Sequence, residues 1–214
     1  MSSLIFCTEK EQVLVATDTL AVSFKGKPFM FTSKSYYLPH IKTIICGTGM
    51  GGFSGDWYMQ VNNRMVVKGI ENLDYHAPQG LQKLWIKYKT EFSMPDSTTT
   101  TVYQFGFSEE SGEIKSYVYR STNNFSSERL EYGIGVKPEC NIPKGNLIEL
   151  IPQMMAEQRI IQASSPVDQR LYIGGEIIGL HLTKNGCNIF KIAEFDDYKK
   201  NETEIFINFD NSSY

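Results

Sequence analysis

Histidine is scarce in this chain, three in 214 residues, and none of His40, His76 and His181 has a cysteine, histidine or carboxylate partner at metal-ligand spacing. The four cysteines, Cys7, Cys46, Cys140 and Cys187, lie far apart with no C-x-x-C, which excludes a zinc ribbon or a dithiol redox motif and leaves small buried hydrophobes in a reducing compartment. There is no surplus of positive charge: the formal net charge is -3, so no electrostatic case exists for nucleic acid as a partner. Long apolar runs are also missing, and MSSLIFCTEKEQ has no basic leader ahead of its short apolar stretch, so neither membrane span nor signal peptide is expected and the expected address is cytoplasmic. No internal repeat, low-complexity tract or linker interrupts the sequence, and its length suits one domain over residues 1–214.

What is present reads as strands first. SLIFCT (3–8) and QVLVAT (12–17) flank a charged turn and predict a hairpin at the chain start. FMFTSKSYYL (29–38) and IKTIIC (41–46), separated by Pro39-His40, predict a second. From Phe53 the period changes: Phe53, Trp57, Val61 and Met65 mark an amphipathic helix to about Glu71, and Leu81, Leu84, Trp85 and Tyr88 a second, starting near Pro78. Strands resume in TTTTVYQFGF, EIKSYVYRS and RLEYGIGV, followed by a third helix over about 145–162 and two closing strands, EIIGLHLT and CNIFKIAEF, with TEIFINF (203–209) as a possible third. Hairpins, helices and hairpins again predict an α+β fold of two packed antiparallel sheets with helices outside.

The stretch IICGTGMGG (44–52) fits G-x-G-x-x-G through Gly47, Gly49 and Gly52. A dinucleotide-binding unit needs that loop after a first strand, then a helix and a parallel strand closing on an acidic residue. Glu71 is at the right distance, but the segment IENLDYHAPQ around it is no strand, so the glycines are read as a backbone that approaches something else.

SLIFCTEKEQVLVATD resembles the opening of proteasome β-type subunits and of the bacterial HslV protease, members of the N-terminal nucleophile (Ntn) hydrolase superfamily. Ser2 falls on the family nucleophile, Asp18 on its Asp and Lys34 on its Lys without a gap, and Gly47 on its oxyanion glycine after one turn is shortened by a residue. The likeness continues more weakly through GFSEESGEIKSYVY and YIGGEIIGLHLTKNG.

The resemblance implies a four-layer αββα sandwich, no cofactor and no metal, a homo-oligomer in the form of a ring, and a peptide or small amide as substrate. It also implies a pocket lined by Ala21, Thr32, Ile45, Thr48 and Gly49, and neighbour contacts through helix faces bearing Trp57, Tyr58 or Trp85. The chemistry is coherent: an N-terminal serine carries its own base, an α-amine with pKa about 7.7–8.0, once Met1 is removed. Lys34 favours the ionised hydroxyl, Asp18 holds the ammonium, and the Gly47 amide faces the developing oxyanion. On this reading Lys34→Ala removes activity at unchanged stability.

The sequence departs from the family where a supporting Ser, Asp and Ser are expected. YGIGVKPE contains no serine, and in SSPVDQRLYIGG Arg170 or a neighbour takes the expected place of the Asp, with Ser165 and Asp168 nearby. A catalytically inactive structural or assembly subunit on the same fold is therefore the alternative.

Overall fold

A computed structural model describes residues 3–23, 26–166 and 170–212. The opening hairpin pairs β1 (Leu4–Thr8) with β2 (Gln12–Asp18), Leu4 opposite Thr17. A ribbon of β3 (Leu20–Val22) and β4 (Pro28–Phe31) follows. The expected single strand over 29–38 is thus divided: residues 32–34 belong to no strand, and β5 (Ser35–Leu38) starts another sheet.

After β6 (Thr43–Gly49) come α1 (Phe53–Arg64) and α2 (Ile70–Glu91), so the first helix is shorter than expected and the second starts eight residues before Pro78. Ile70, Leu73, Ala77, Leu81, Leu84, Trp85 and Tyr88 form one buried stripe along α2, and that continuous burial outweighs the N–H that Pro78 cannot donate. The cap that fixes its start comes from far away: the Glu109 carboxylate accepts the N–H groups of Glu71 (3.1 Å) and Asn72 (2.7 Å).

β7 (Thr100–Phe107) and β8 (Ile114–Arg120) form the next hairpin. RLEYGIGV is also divided, into β9 (Glu128–Arg129) in one sheet and β10 (Gly133–Lys137) in the other, with Gly133 at φ +145° where the chain changes sheets. Then come α3 (Leu147–Ala163), the hairpin β11 (Glu176–Thr183) and β12 (Gly186–Glu194), and α4 (Tyr198–Ser212). The last element corrects the strand expected over 203–209. Asn201, Ile205 and Asn208 turn inward at helical spacing while Phe206, Ile207 and Phe209 stay exposed. Tyr198 stacks on Phe31 at 4.7 Å, and Asn208 Nδ2 donates to the Pro28 carbonyl at 2.9 Å, docking α4 on β4.

Two five-stranded sheets result, ordered β10-β1-β2-β11-β12 and β5-β6-β7-β8-β9, with every described pairing antiparallel. Three apolar clusters join the sheets to the helices and to each other. Ile45, Val102 and Tyr119 of the second sheet pack with Phe53, Trp57, Leu81 and Trp85 of α1 and α2. Leu4, Phe6 and Val15 of the first sheet meet Ile44, Cys46, Tyr103 and Phe105 of the second. Ile5, Leu14 and Ala16 pack with Ile151, Met154 and Met155 of α3. The two-residue period of each strand assigns its side chains alternately to these clusters.

Trp57 is fully buried, resting where Gly80 leaves no Cβ, and Trp85 is nearly so; neither presents a face to a neighbouring subunit, contrary to the expectation from the sequence. Tyr58 packs at the edge of the same cluster and stacks on Tyr36. Among the described residues, no helix is long and apolar enough to cross a membrane. The glycine motif has no dinucleotide-binding context: β6 is antiparallel to both of its neighbours, and two helices separate it from β7.

Candidate functional site

Asp18, the last residue of β2, is fully buried and its carboxylate accepts four hydrogen bonds. Lys34 Nζ donates to both oxygens at 2.9 Å, the Ser3 N–H to Oδ1 at 2.9 Å and the Gly174 N–H to Oδ2 at 3.1 Å. Lys34 is itself buried, and its ammonium also donates to the Leu20 carbonyl at 2.6 Å. The backbone sets this up. Gly174 O accepts the N–H groups of Thr19 (3.3 Å) and Leu20 (3.0 Å), which clamps the segment before β11 onto the turn after Asp18. With its N–H groups committed to a carboxylate and a carbonyl, Lys34 is a fixed positive charge with no lone pair to offer as a base.

Ser2 lies outside the described residues. Its successor Ser3 is fully buried, and the Ser3 hydroxyl donates to Gln158 Oε1 while Gln158 Nε2 donates to the Pro138 carbonyl. Gln158 is a fully buried amide of α3, and it fixes the start of β1 from below. Thr17 Oγ1 and Ser35 Oγ meet at 3.2 Å and tie the two sheets together beside the ion pair. Sequence reading missed Ser3, Gln158, Gly174 and Ser35; the only signal was a polar amide at a core position of the α3 stripe.

Gly47 sits in β6. The Lys42 carbonyl accepts the Phe107 N–H (3.3 Å) and the Thr48 carbonyl accepts the Thr100 hydroxyl (3.2 Å), so the even-numbered residues direct their backbone groups to β7. The odd-numbered ones, Gly47 included, therefore direct theirs to the β5 side. Pairing with β5 ends at Ser35 opposite Cys46, so the Gly47 amide faces the place where β5 no longer runs alongside, next to Lys34. A side chain at 47 is excluded for a separate reason: a Cβ there falls 2.8 Å from Ser54 Cβ of α1 and 2.9 Å from the Thr101 carbonyl oxygen.

The residues expected to line a pocket are not on one wall. Ile45 is fully buried among the α1 and α2 side chains, whereas Thr48 faces the opposite side of β6, between the sheets. Ala21 lies in the middle of β3 opposite Met30 and Thr32 directly follows β4, both half-buried, and Gly49 takes φ +101° with the Thr99 carbonyl oxygen 2.4 Å from where its Cβ would stand. A cavity of about 380 Å³ lies beside β3, between Leu20, Arg159, Tyr172 and Asn201, and contains none of the proposed catalytic or pocket residues.

Arg170 does not act as a substitute for the family Asp. Its Nη2 donates to the carbonyls of Ala163 (2.8 Å) and Ser165 (3.1 Å), closing the turn after α3. Asp168 is outside the described residues. At the first departure, β10 brings Val136 and Lys137 beside the start of β1, with Lys137 opposite Leu4. His181 Nε2 pairs with Gln12 Oε1 at 2.8 Å, far from Asp18 along β2. Among the described residues, no group of three or more His, Cys, Asp and Glu side chains is arranged to hold a metal.

No protein-family model matches the chain, and no curated protein matches it.

Proposed function

We propose that the chain is an amide-bond hydrolase of the N-terminal nucleophile type, related in architecture to proteasome β-type subunits and HslV, with the three packing interfaces forming a four-layer αββα sandwich. The observation that carries this reading is the buried Asp18–Lys34 pair hydrogen-bonded to the Ser3 N–H, because it holds a positive charge against the residue that follows Ser2. Ser2 is one Cα step, about 3.8 Å, from that anchored residue.

The proposed mechanism requires removal of Met1 and a Ser2 hydroxyl on the side that Leu4 faces. The α-amine of Ser2 takes the hydroxyl proton as Oγ attacks the substrate carbonyl, with the Lys34 charge favouring the developing alkoxide. The Gly47 N–H donates to the oxyanion, a contribution of about 2.7–4 kcal/mol for one such donor. Return of the proton from the amine to the leaving nitrogen breaks the C–N bond and leaves an ester on Ser2, which water then hydrolyses. A cytoplasmic setting, a peptide or small amide substrate and a homo-oligomeric ring complete the proposal.

The absence of a serine from YGIGVKPE, the segment that runs beside β1 as β10, favours a second reading, an inactive structural or assembly subunit on the same fold. Hydrolysis of peptide amides by untagged protein separates the two. The hydrolase reading expects turnover that Ser2→Ala abolishes and Ser2→Thr retains; turnover unchanged in Ser2→Ala, or absent in the wild type, favours the second.

A further inference from the structure

Lys137 has no role in the mechanism above, yet it stands at the same end of the molecule. Val136 packs toward α3, and a Cβ at Gly135 would strike Phe6 between the sheets, so Lys137 turns to the inter-sheet side. Its side chain crosses from the first sheet to the second, where Nζ donates to Thr101 Oγ1 at 3.1 Å. Thr101 is the register partner of Thr48 on β6, and directly opposite side chains of an antiparallel pair stand about 4.5–5.5 Å apart at Cβ.

Two facts at this spot mark hydrogen-bonding capacity that the described residues leave unused. Thr48 is 6% exposed and its hydroxyl is enclosed without a hydrogen-bond partner. Lys137 is half-buried, and among the described residues no carboxylate forms an ion pair with it; the nearby like charge of Arg120, itself paired with Glu128, acts against its ammonium. Burial first, and Arg120 second, push the Lys137 ammonium below its ordinary pKa. A partly desolvated cation with spare N–H groups, beside a spare hydroxyl, is satisfied by an anion that accepts from both.

We propose that Lys137, with the hydroxyls of Thr101 and Thr48, receives a carboxylate of the substrate. Thr48 follows Gly47 directly, so the carboxylate is held within one residue of the amide assigned to the oxyanion. The preferred substrates are then acyl-amino acids or peptides that carry a free carboxylate close to the scissile amide. The anion site stands on its own geometry, but the identity of the ligand as substrate rests on the hydrolase reading.

The test uses full-length protein labelled with carbon-13 at lysine Cε, with the Lys137 resonance assigned through Lys137→Arg. N-acetyl-L-aspartate is titrated in, with N-acetyl-L-asparagine as the neutral control. The expected result is a saturable shift of the Lys137 resonance by the aspartate probe alone, a rise of the Lys137 titration midpoint, and binding at least tenfold weaker in Lys137→Met. The same binding persists in Ser2→Ala, so loss of the hydrolase reading and loss of the anion site are seen separately. An unmoved Lys137 resonance in the wild type, or equal affinity for the two probes, overturns the proposal without reliance on any variant's folding.

Discussion

Replacing Lys34 by methionine removes the cation that, among the described residues, pairs with a fully buried carboxylate. Asp18 keeps the N–H groups of Ser3 and Gly174 as donors but has no countercharge, and the Leu20 carbonyl loses its ammonium. Breaking a buried ion pair from one side costs about 3–5 kcal/mol, because the remaining charge stays desolvated. For a chain of 214 residues that is a fall in melting temperature of roughly 6 to 20 °C. The structure thereby revises the expectation from the sequence that a Lys34 variant loses activity at unchanged stability. Urea unfolding of Lys34→Met, Asp18→Asn and the double variant gives the coupling directly. The double variant leaves no lone charge, so its loss falls short of the sum of the single losses by about 2 kcal/mol. A Lys34→Met protein within about 1 kcal/mol of the wild type, or strict additivity, refutes the reasoning.

Three further perturbations follow from the same geometry. Gly47→Ala drives a methyl into Ser54 and the Thr101 carbonyl and is expected to cost about 1–3 kcal/mol in urea unfolding, whatever Gly47 contributes to chemistry. Ser3→Ala leaves Gln158 Oε1 without its donor and costs about 1–3 kcal/mol, most of which returns when Gln158→Leu is added; an unrecovered loss contradicts the pairing. Burial pushes the phenols of Tyr103 and Tyr117 from their ordinary 10.0 up to about 12. The unfolded chain releases those protons first, so the native state binds more protons above about pH 10 and stability falls as pH rises toward about 12, by up to about 1.4 kcal/mol per pH unit for each group. Urea midpoints from about pH 9 to about pH 11 should decline, and Tyr117→Phe should flatten the decline.

The parts of the fold that could be read in the sequence are those whose signal is local. β1, β2 and β6 are short runs of apolar and β-branched residues and α1 carries apolar residues four apart, and all four elements form at those segments, although α1 stops at Arg64, short of the expected Glu71. The start of α2 was hidden because its cap, Glu109, is 38 residues from Glu71. α4 was hidden because β-branched and aromatic residues dominate TEIFINF, while the polar Asn201 and Asn208 decide which face docks. Both divided strands cross from one sheet to another, and only tertiary pairing assigns such a break. At the site, the spacing of Asp18 and Lys34 was visible and the two side chains do meet. Gln158 and Gly174, which complete that arrangement, come from 155 and 156 residues away along the chain, beyond the reach of any local pattern.

The central claim is that Ser2 is a free, reactive N-terminus, and one mass measurement addresses it. Protein expressed without an N-terminal tag is incubated with a β-lactone probe, and its intact mass and modified peptide are recorded. The proposed mechanism expects a mass lacking Met1 and a single adduct on Ser2. Retained Met1 with no adduct on Ser2 contradicts it.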